Sequence, residues 1–243
     1  MTTVLLHPVG LDAACWDLTS VPGERFEFPG HGARPLPPGG FTLESIADEV
    51  AASFAGPLDL VGISMGSAVA QYVAIRHPER VRSLVLAAGA PPRAGQGDDV
   101  APAQEGRAQE TLRVGVAGTL EGTLARWFTP AALADAAHPG VAYVRRRWLA
   151  NDPAAIAATW RALGRSRTRD RLGGVTAPVT VIGGRFDLAT GPEADPVGHA
   201  NALGALLPRS RVEIIDGPHM LHLERPAECA AAVRRHFAWV EKR

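Results

Sequence analysis

The sequence predicts an α/β protein on a mainly parallel sheet of about six strands, with helices on both faces and a helical insertion. Two observations carry this expectation. Short β-branched or leucine-rich runs alternate with helical patterns, as they do where parallel strands are joined by crossover helices. From about Pro91 to Gly174 the alternation stops, no strand-like run occurs, and the texture is helical and rich in Ala, Arg and Gly.

The expected strands are Val4–His7, Arg25–Phe28, Leu58–Ile63, Val81–Ala87, Val179–Gly183 and Val212–Ile215. Thr42 is placed to cap a helix running through Phe54, with Leu43, Ile46, Ala47 and Val50 at apolar helical spacing. A second helix follows Ser64 and stops near His77-Pro78, because the residue before a proline avoids the helical region. The last helix begins around Pro226 and carries Cys229, Val233, Phe237 and Val240. The chain begins directly at the first core strand, so an amino-terminal hairpin is not expected, and the stretch between Trp16 and Arg25 leaves little room for a helix. Residues 1–91 and 174–243 are therefore assigned to a core and 92–173 to a helical cap. Pro92 to Pro102, with Gly95 and Gly97, reads as the segment leading into the cap. Its aromatics Trp127, Phe128, Tyr143, Trp148 and Trp160 are candidates both for lining a pocket and for fastening small helices to the core.

At 243 residues, 46% hydrophobic and 21% charged, the chain has an ordinary globular composition. Zero formal net charge gives no general reason to expect a nucleic acid, membrane or polyanionic partner. Nearly all the positive charge is arginine, since Lys242 is the only lysine. Cys15 and Cys229 are far apart and form no metal-ligand pattern, so two reduced thiols are expected. The amino terminus lacks a basic leader and no apolar run has the length of a span, which points to a cytoplasmic protein.

Chemistry enters with Gly62-Ile63-Ser64-Met65-Gly66, between the strand Leu58–Ile63 and a helix. Gly-x-Ser-x-Gly in that context is a nucleophile elbow, a tight strained turn that holds a serine hydroxyl out at the carboxyl end of a sheet. A serine needs a base to take its proton and an acid to orient that base. Asp187 follows one later strand and His219 another, in the chain order this elbow requires. The rivals are Asp195, within the long segment 190–199, and His222, three residues beyond His219. Asp216 is too close to His219 in sequence to reach behind its ring, and His7 and His31 read as structural. Ala87-Ala88-Gly89 leaves no acid after the fourth strand, which favours Asp187.

These residues resemble the α/β-hydrolase family over nearly the whole chain outside the insertion. The matching motifs are Leu6-His7-Pro8-Val9-Gly10, Pro29-Gly30-His31-Gly32, the elbow, Gly184-Arg185-Phe186-Asp187, and the run from His219 to Pro226. The resemblance implies that Ser64 attacks, His219 shuttles the proton and Asp187 orients the imidazole. It also implies an oxyanion hole from the backbone N–H groups of Val9 and Met65. His7-Pro8 departs from the family's His-Gly, and proline has no N–H, although the implied donor belongs to Val9.

The function expected is hydrolysis of a small-molecule ester or lactone through an acyl-enzyme, with features like the enol-lactonase and small carboxylesterase branch. Carbon–carbon hydrolase, thioesterase, lyase and cyclase chemistry use the same fold, and a silent binding protein is the third class. No cofactor or metal is implied, and a homodimer is left open. Arginines 145–147, 161, 165, 167, 169 and 171 either bind a carboxylate or sit on exposed helix faces, the commoner case. Cys15 lies close to the oxyanion loop in sequence, where a small buried apolar role is the commoner one.

Overall fold

The computed structural model describes residues 1–89, 92–95, 97–189, 191 and 195–242. Pro91, at the expected core–cap boundary, and four residues of the 190–199 segment lie outside them. Six strands, β1 (Thr2–Leu6), β2 (Glu24–Phe26), β3 (Leu58–Ile63), β4 (Val81–Ala87), β5 (Val179–Gly184) and β6 (Ser210–Ile215), form one sheet. Their order is β2-β1-β3-β4-β5-β6 and every pairing is parallel. Successive strand residues point to opposite faces, and every residue of β3 and β5 is buried, so both faces of the sheet are covered.

The helices are α1 (Leu43–Ser53), α2 (Met65–Arg76), α3 (Pro102–Trp127), α4 (Pro130–Ala134), α5 (Pro139–Leu149), α6 (Pro153–Gly164), α7 (Pro196–Ala205), α8 (Leu221–Glu224) and α9 (Pro226–Glu241). Between β4 and β5 the described chain contains helices and no strand, α3 to α6 followed by a 3-10 segment at Arg169–Gly174. Thr42 caps α1 in a reciprocal box with Ser45. β2 ends before Phe28 because the Phe28 N–H is taken by His7 Nε2 at 3.0 Å instead of by a strand. β6 starts earlier than its apolar run, since Ser210 and Arg211 pair with Val179 and Thr180 at a sheet edge that tolerates polar side chains. A 3-10 turn, Ala13–Leu18, fills the short space between β1 and β2. α7 is absent from the sequence expectation, although Asp195 caps it and Pro196 opens it. No helix among the described residues is long and apolar enough to cross a membrane.

Order reverses at β1, with β2 on one side and β3 on the other, and such a reversal opens a crevice at the carboxyl ends of the strands. The elbow sits there, and its glycines are sterically required. A Cβ on Gly66 would lie 2.1 Å from the Leu6 carbonyl oxygen, and one on Gly62 2.2 Å from the Gly66 oxygen. Both obstacles are backbone, which cannot swing aside. Gly66→Ala is therefore expected to cost several kcal/mol, on the order of other overpacked core sites. An unchanged urea midpoint would show that β1 and α2 have more room than this.

Candidate active site

Ser64 occupies a backbone conformation that side chains seldom adopt, with φ 54° and ψ −114°. Its N–H is tied to the Ala87 carbonyl at 2.9 Å, so the end of β4 helps hold the strain. The Ser64 Oγ lies 2.9 Å from His219 Nε2. On the far side of the ring, Nδ1 lies 2.8 Å from Asp187 Oδ2. The other carboxylate oxygen accepts the Ala189 N–H at 2.8 Å. Burial works against the Asp187 charge, but His219 and the Ala189 N–H outweigh it and hold its pKa below the usual carboxylate value. His219 is itself buried beside Trp127, whose carbonyl accepts the Met220 N–H at 3.1 Å.

Val9 and Met65 border the same cavity as Ser64 and His219, a space of about 190 Å³. That is roughly ten times what one water needs. The loop from His7 to Asp12, which carries Val9, is pinned from several directions. His7 Nδ1–H donates to the Pro8 carbonyl at 2.8 Å. Gly10 has φ +69°, and a Cβ there would meet the Trp148 ring at 2.3 Å. The Gly10 carbonyl accepts from Asn151 Nδ2 at 2.8 Å, and Tyr143 Oη donates to Asp12 Oδ1 at 2.5 Å.

The sequence profile described as the alpha/beta hydrolase family matches residues 3–232. The chain belongs to the alpha/beta hydrolase family. A pimeloyl-[acyl-carrier protein] methyl ester esterase of Aromatoleum aromaticum is 31% identical over 245 residues, covering 95% of each chain. The 3-oxoadipate enol-lactonase 2 of Acinetobacter baylyi is 28% identical over 81% of this chain and 71% of its own. A shorter match, 39% identical to the Chromobacterium violaceum pimeloyl-[acyl-carrier protein] methyl ester esterase, covers 42% of this chain and only 39% of that protein. Among solved structures, the Burkholderia xenovorans enol-lactonase superposes with a TM-score of 0.85 over 97% of this chain and 90% of its own, at 23% identity.

Within this alpha/beta hydrolase the rival residues fall elsewhere. Asp195 accepts the Gly198 N–H at 2.8 Å as the cap of α7. Asp216 pairs with Arg185 at 2.5 Å on the exposed surface. His222 is fully buried against Trp16, with no hydrogen-bond partner for either ring nitrogen among the described residues. His31 donates to the Pro29 carbonyl at 2.9 Å. Cys15 and Cys229 are free and buried, and burial raises both thiols. Among the described residues no cluster of three or more His, Cys, Asp and Glu is arranged to hold a metal.

The cap aromatics divide, and three of them need correcting as pocket candidates. Trp127 and Trp160 border the cavity, whereas Phe128, Tyr143 and Trp148 do not. Phe128 packs on His138, Tyr143 holds Asp12, and Trp148 stands edge-on to Trp127 beneath Gly10. The Trp148 Nε1–H reaches the Val116 carbonyl at 2.9 Å, next to the kink that α3 makes at Gly115, φ 71°. None of the arginines considered for carboxylate binding borders this cavity; Arg93 and Arg107 do, and no motif singles out either.

Asn151 is a further residue that no motif marks as part of the site. Besides Gly10 it donates to the Arg147 and Trp148 carbonyls at 3.1 Å each, closing α5 onto the oxyanion-side loop. Asn151→Ala leaves the buried Gly10 carbonyl without its donor and should cost about 1–3 kcal/mol in urea unfolding. No change in midpoint would mean that this loop is held by the other contacts alone.

Burial, reinforced by neighbouring histidines, lowers His31 and His222 from 6.5 to about 3. Folded, both are neutral at pH 5, while the unfolded chain binds protons there. Stability that is complete above pH 6.5 is thus lost towards pH 3, at about 1.4 kcal/mol per pH unit for each group. A urea midpoint equal at pH 7 and pH 5 would contradict this.

Proposed function

We propose that Ser64, His219 and Asp187 are the catalytic triad of a serine hydrolase acting on a small-molecule ester or lactone. The observation that carries the reading is the continuous relay from Ser64 Oγ to His219 Nε2 at 2.9 Å and from Nδ1 to Asp187 at 2.8 Å, at the wall of a cavity. Relatives named as a methyl ester esterase and an enol-lactonase support the same reaction class.

In the proposed cycle Ser64 Oγ bonds to the acyl carbon as its proton passes to His219 Nε2. The carbonyl oxygen takes the electron pair, and the backbone N–H groups of Val9 and Met65 are the proposed donors to it. Met65 opens α2, where the first N–H groups have no helical acceptor. Pro8 does not remove a donor in this scheme, because its role is to accept from His7. Collapse expels the alkoxide, which regains the proton from Nε2; in a lactone it stays tethered to the acyl group. A water then gives one proton to Nε2 as its oxygen attacks the acyl carbon. The bond from that carbon to Ser64 Oγ breaks, Oγ takes the proton back from Nε2, and the carboxylic acid departs. Residues 92–173 act as the cap over a core of 1–91 and 174–243, with Trp127 and Trp160 among the side chains it contributes to the cavity wall.

Incubation with a fluorophosphonate followed by peptide mass spectrometry tests this directly. The adduct is expected on Ser64, and a folded protein left unlabelled would remove the proposal. Esters, lactones and thioesters offered in parallel identify the leaving group.

A further inference from the structure

The cavity that holds Ser64 also holds a cation that no carboxylate of the described residues neutralises. Arg107, on α3, borders it together with Trp160 and His219. Its guanidinium lies 4.9 Å from the centroid of the Trp160 ring, and Nη2 donates to the Ala189 carbonyl at 2.5 Å. Several other arginines of the cap have acids: Arg161 pairs with Glu105, Arg145 with Glu121 and Arg113 with Glu110. Arg107 has none among the described residues. The charge acting on it is of the same sign, from Arg126, whose own Nε is buried without a hydrogen-bond partner among the described residues.

A guanidinium presents five N–H donors in a planar fork suited to a carboxylate. The Ala189 carbonyl uses one donor, and the described residues supply no acceptor for the others. Arg93, the second arginine of the cavity, is occupied by the Gly164 carbonyl and Asp99. The one carboxylate bordering the cavity among the described residues, Asp187, is held by His219 and Ala189. Burial and Arg126 push the Arg107 guanidinium down only to about 10, so it remains charged at neutral pH. Two half-buried cations with no carboxylate partner among the described residues are costly to the free protein, and an anionic ligand would offset that cost.

We propose that Arg107 forms an anion subsite, so that the favoured substrate bears a carboxylate remote from the carbonyl that Ser64 attacks. This rests on the serine-hydrolase reading and narrows its substrate class. A competing role is visible: Arg107 holds the Ala189 carbonyl while the Ala189 N–H holds Asp187, so the arginine also braces the acid loop. A brace affects all substrates alike, whereas a subsite discriminates among them.

The experiment uses mono-p-nitrophenyl esters of succinic, glutaric and adipic acids, each beside the same ester with its far carboxylate capped as the amide. The quantity read is kcat/KM for acid over amide. For at least one chain length the parent is expected to favour the acid. Arg107→Gln should lower that ratio by roughly ten- to a hundredfold, mainly through KM, and Arg107→Lys should restore part of it. Equal loss on acid and amide would assign Arg107 to bracing and overturn the subsite, as would a parent that treats acid and amide alike. Should no ester turn over and Ser64 not label, the hydrolase reading itself has failed. The subsite is then judged by calorimetric titration of the Ser64→Ala protein with glutarate. Binding there that Arg107→Gln abolishes supports it, and no binding overturns it.

Discussion

Ser64→Ala is expected to lower turnover by roughly 10⁶-fold, about the loss seen when a triad nucleophile is removed, while the protein still folds. Alanine differs from serine by one oxygen, and the elbow is held by contacts that do not involve that oxygen. These are the Ser64 N–H on Ala87 and the close approach of Gly62 and Gly66 to neighbouring backbone. The lost hydroxyl also removes the site of fluorophosphonate addition, so rate and labelling should vanish together. Ser64→Gly sharpens the test, because glycine adopts φ 54° without the penalty other residues incur. It should be as inactive as the alanine variant yet about 1 kcal/mol more stable. Full turnover in either variant would place the chemistry on another group; a glycine variant no more stable than alanine would mean that the turn stores no strain.

What is legible in the sequence follows from where local pattern decides structure. β3 and β5 are buried on both faces, so their near-continuous apolar runs identify them, and the elbow glycines mark a place where backbone meets backbone. The order of serine, acid and histidine follows from strand ends and needs no knowledge of the cap. α7 escapes because its run around Gly198 and Gly204 lacks a clear apolar stripe, although Asp195-Pro196 marks its start. The aromatic residues of the cap cannot be sorted from sequence, because Tyr143 and Trp148 find their purpose on a loop more than a hundred residues earlier. Arg107 is hidden for the same reason. A cation becomes conspicuous only when its neighbours' acids are seen to be engaged elsewhere, and that pairing is tertiary.

Asp187→Asn and Asp195→Asn should separate by about four orders of magnitude in kcat. An amide in place of the Asp187 carboxylate can present its NH₂ to His219 Nδ1, which favours the tautomer whose Nε2 carries the proton and cannot accept one from Ser64. Loss of the correct tautomer with geometry intact costs about 10⁴ in a triad of this kind. The Asp195→Asn change keeps a side-chain oxygen for the Gly198 N–H, so α7 retains its cap and turnover should change little. The reverse ranking would transfer the acid to Asp195. Stability against pH gives a readout independent of turnover. His219 and the Ala189 N–H, working against burial, depress the folded pKa of Asp187, so the carboxylate stabilises the fold above its unfolded value near 4. That contribution is lost as pH falls through the lower folded value. The parent should therefore show a component of acid destabilisation below about pH 4 that the Asp187→Asn variant lacks. If both proteins lose stability identically there, the Asp187 carboxylate does not feel His219, and the 2.8 Å contact between them carries no charge interaction.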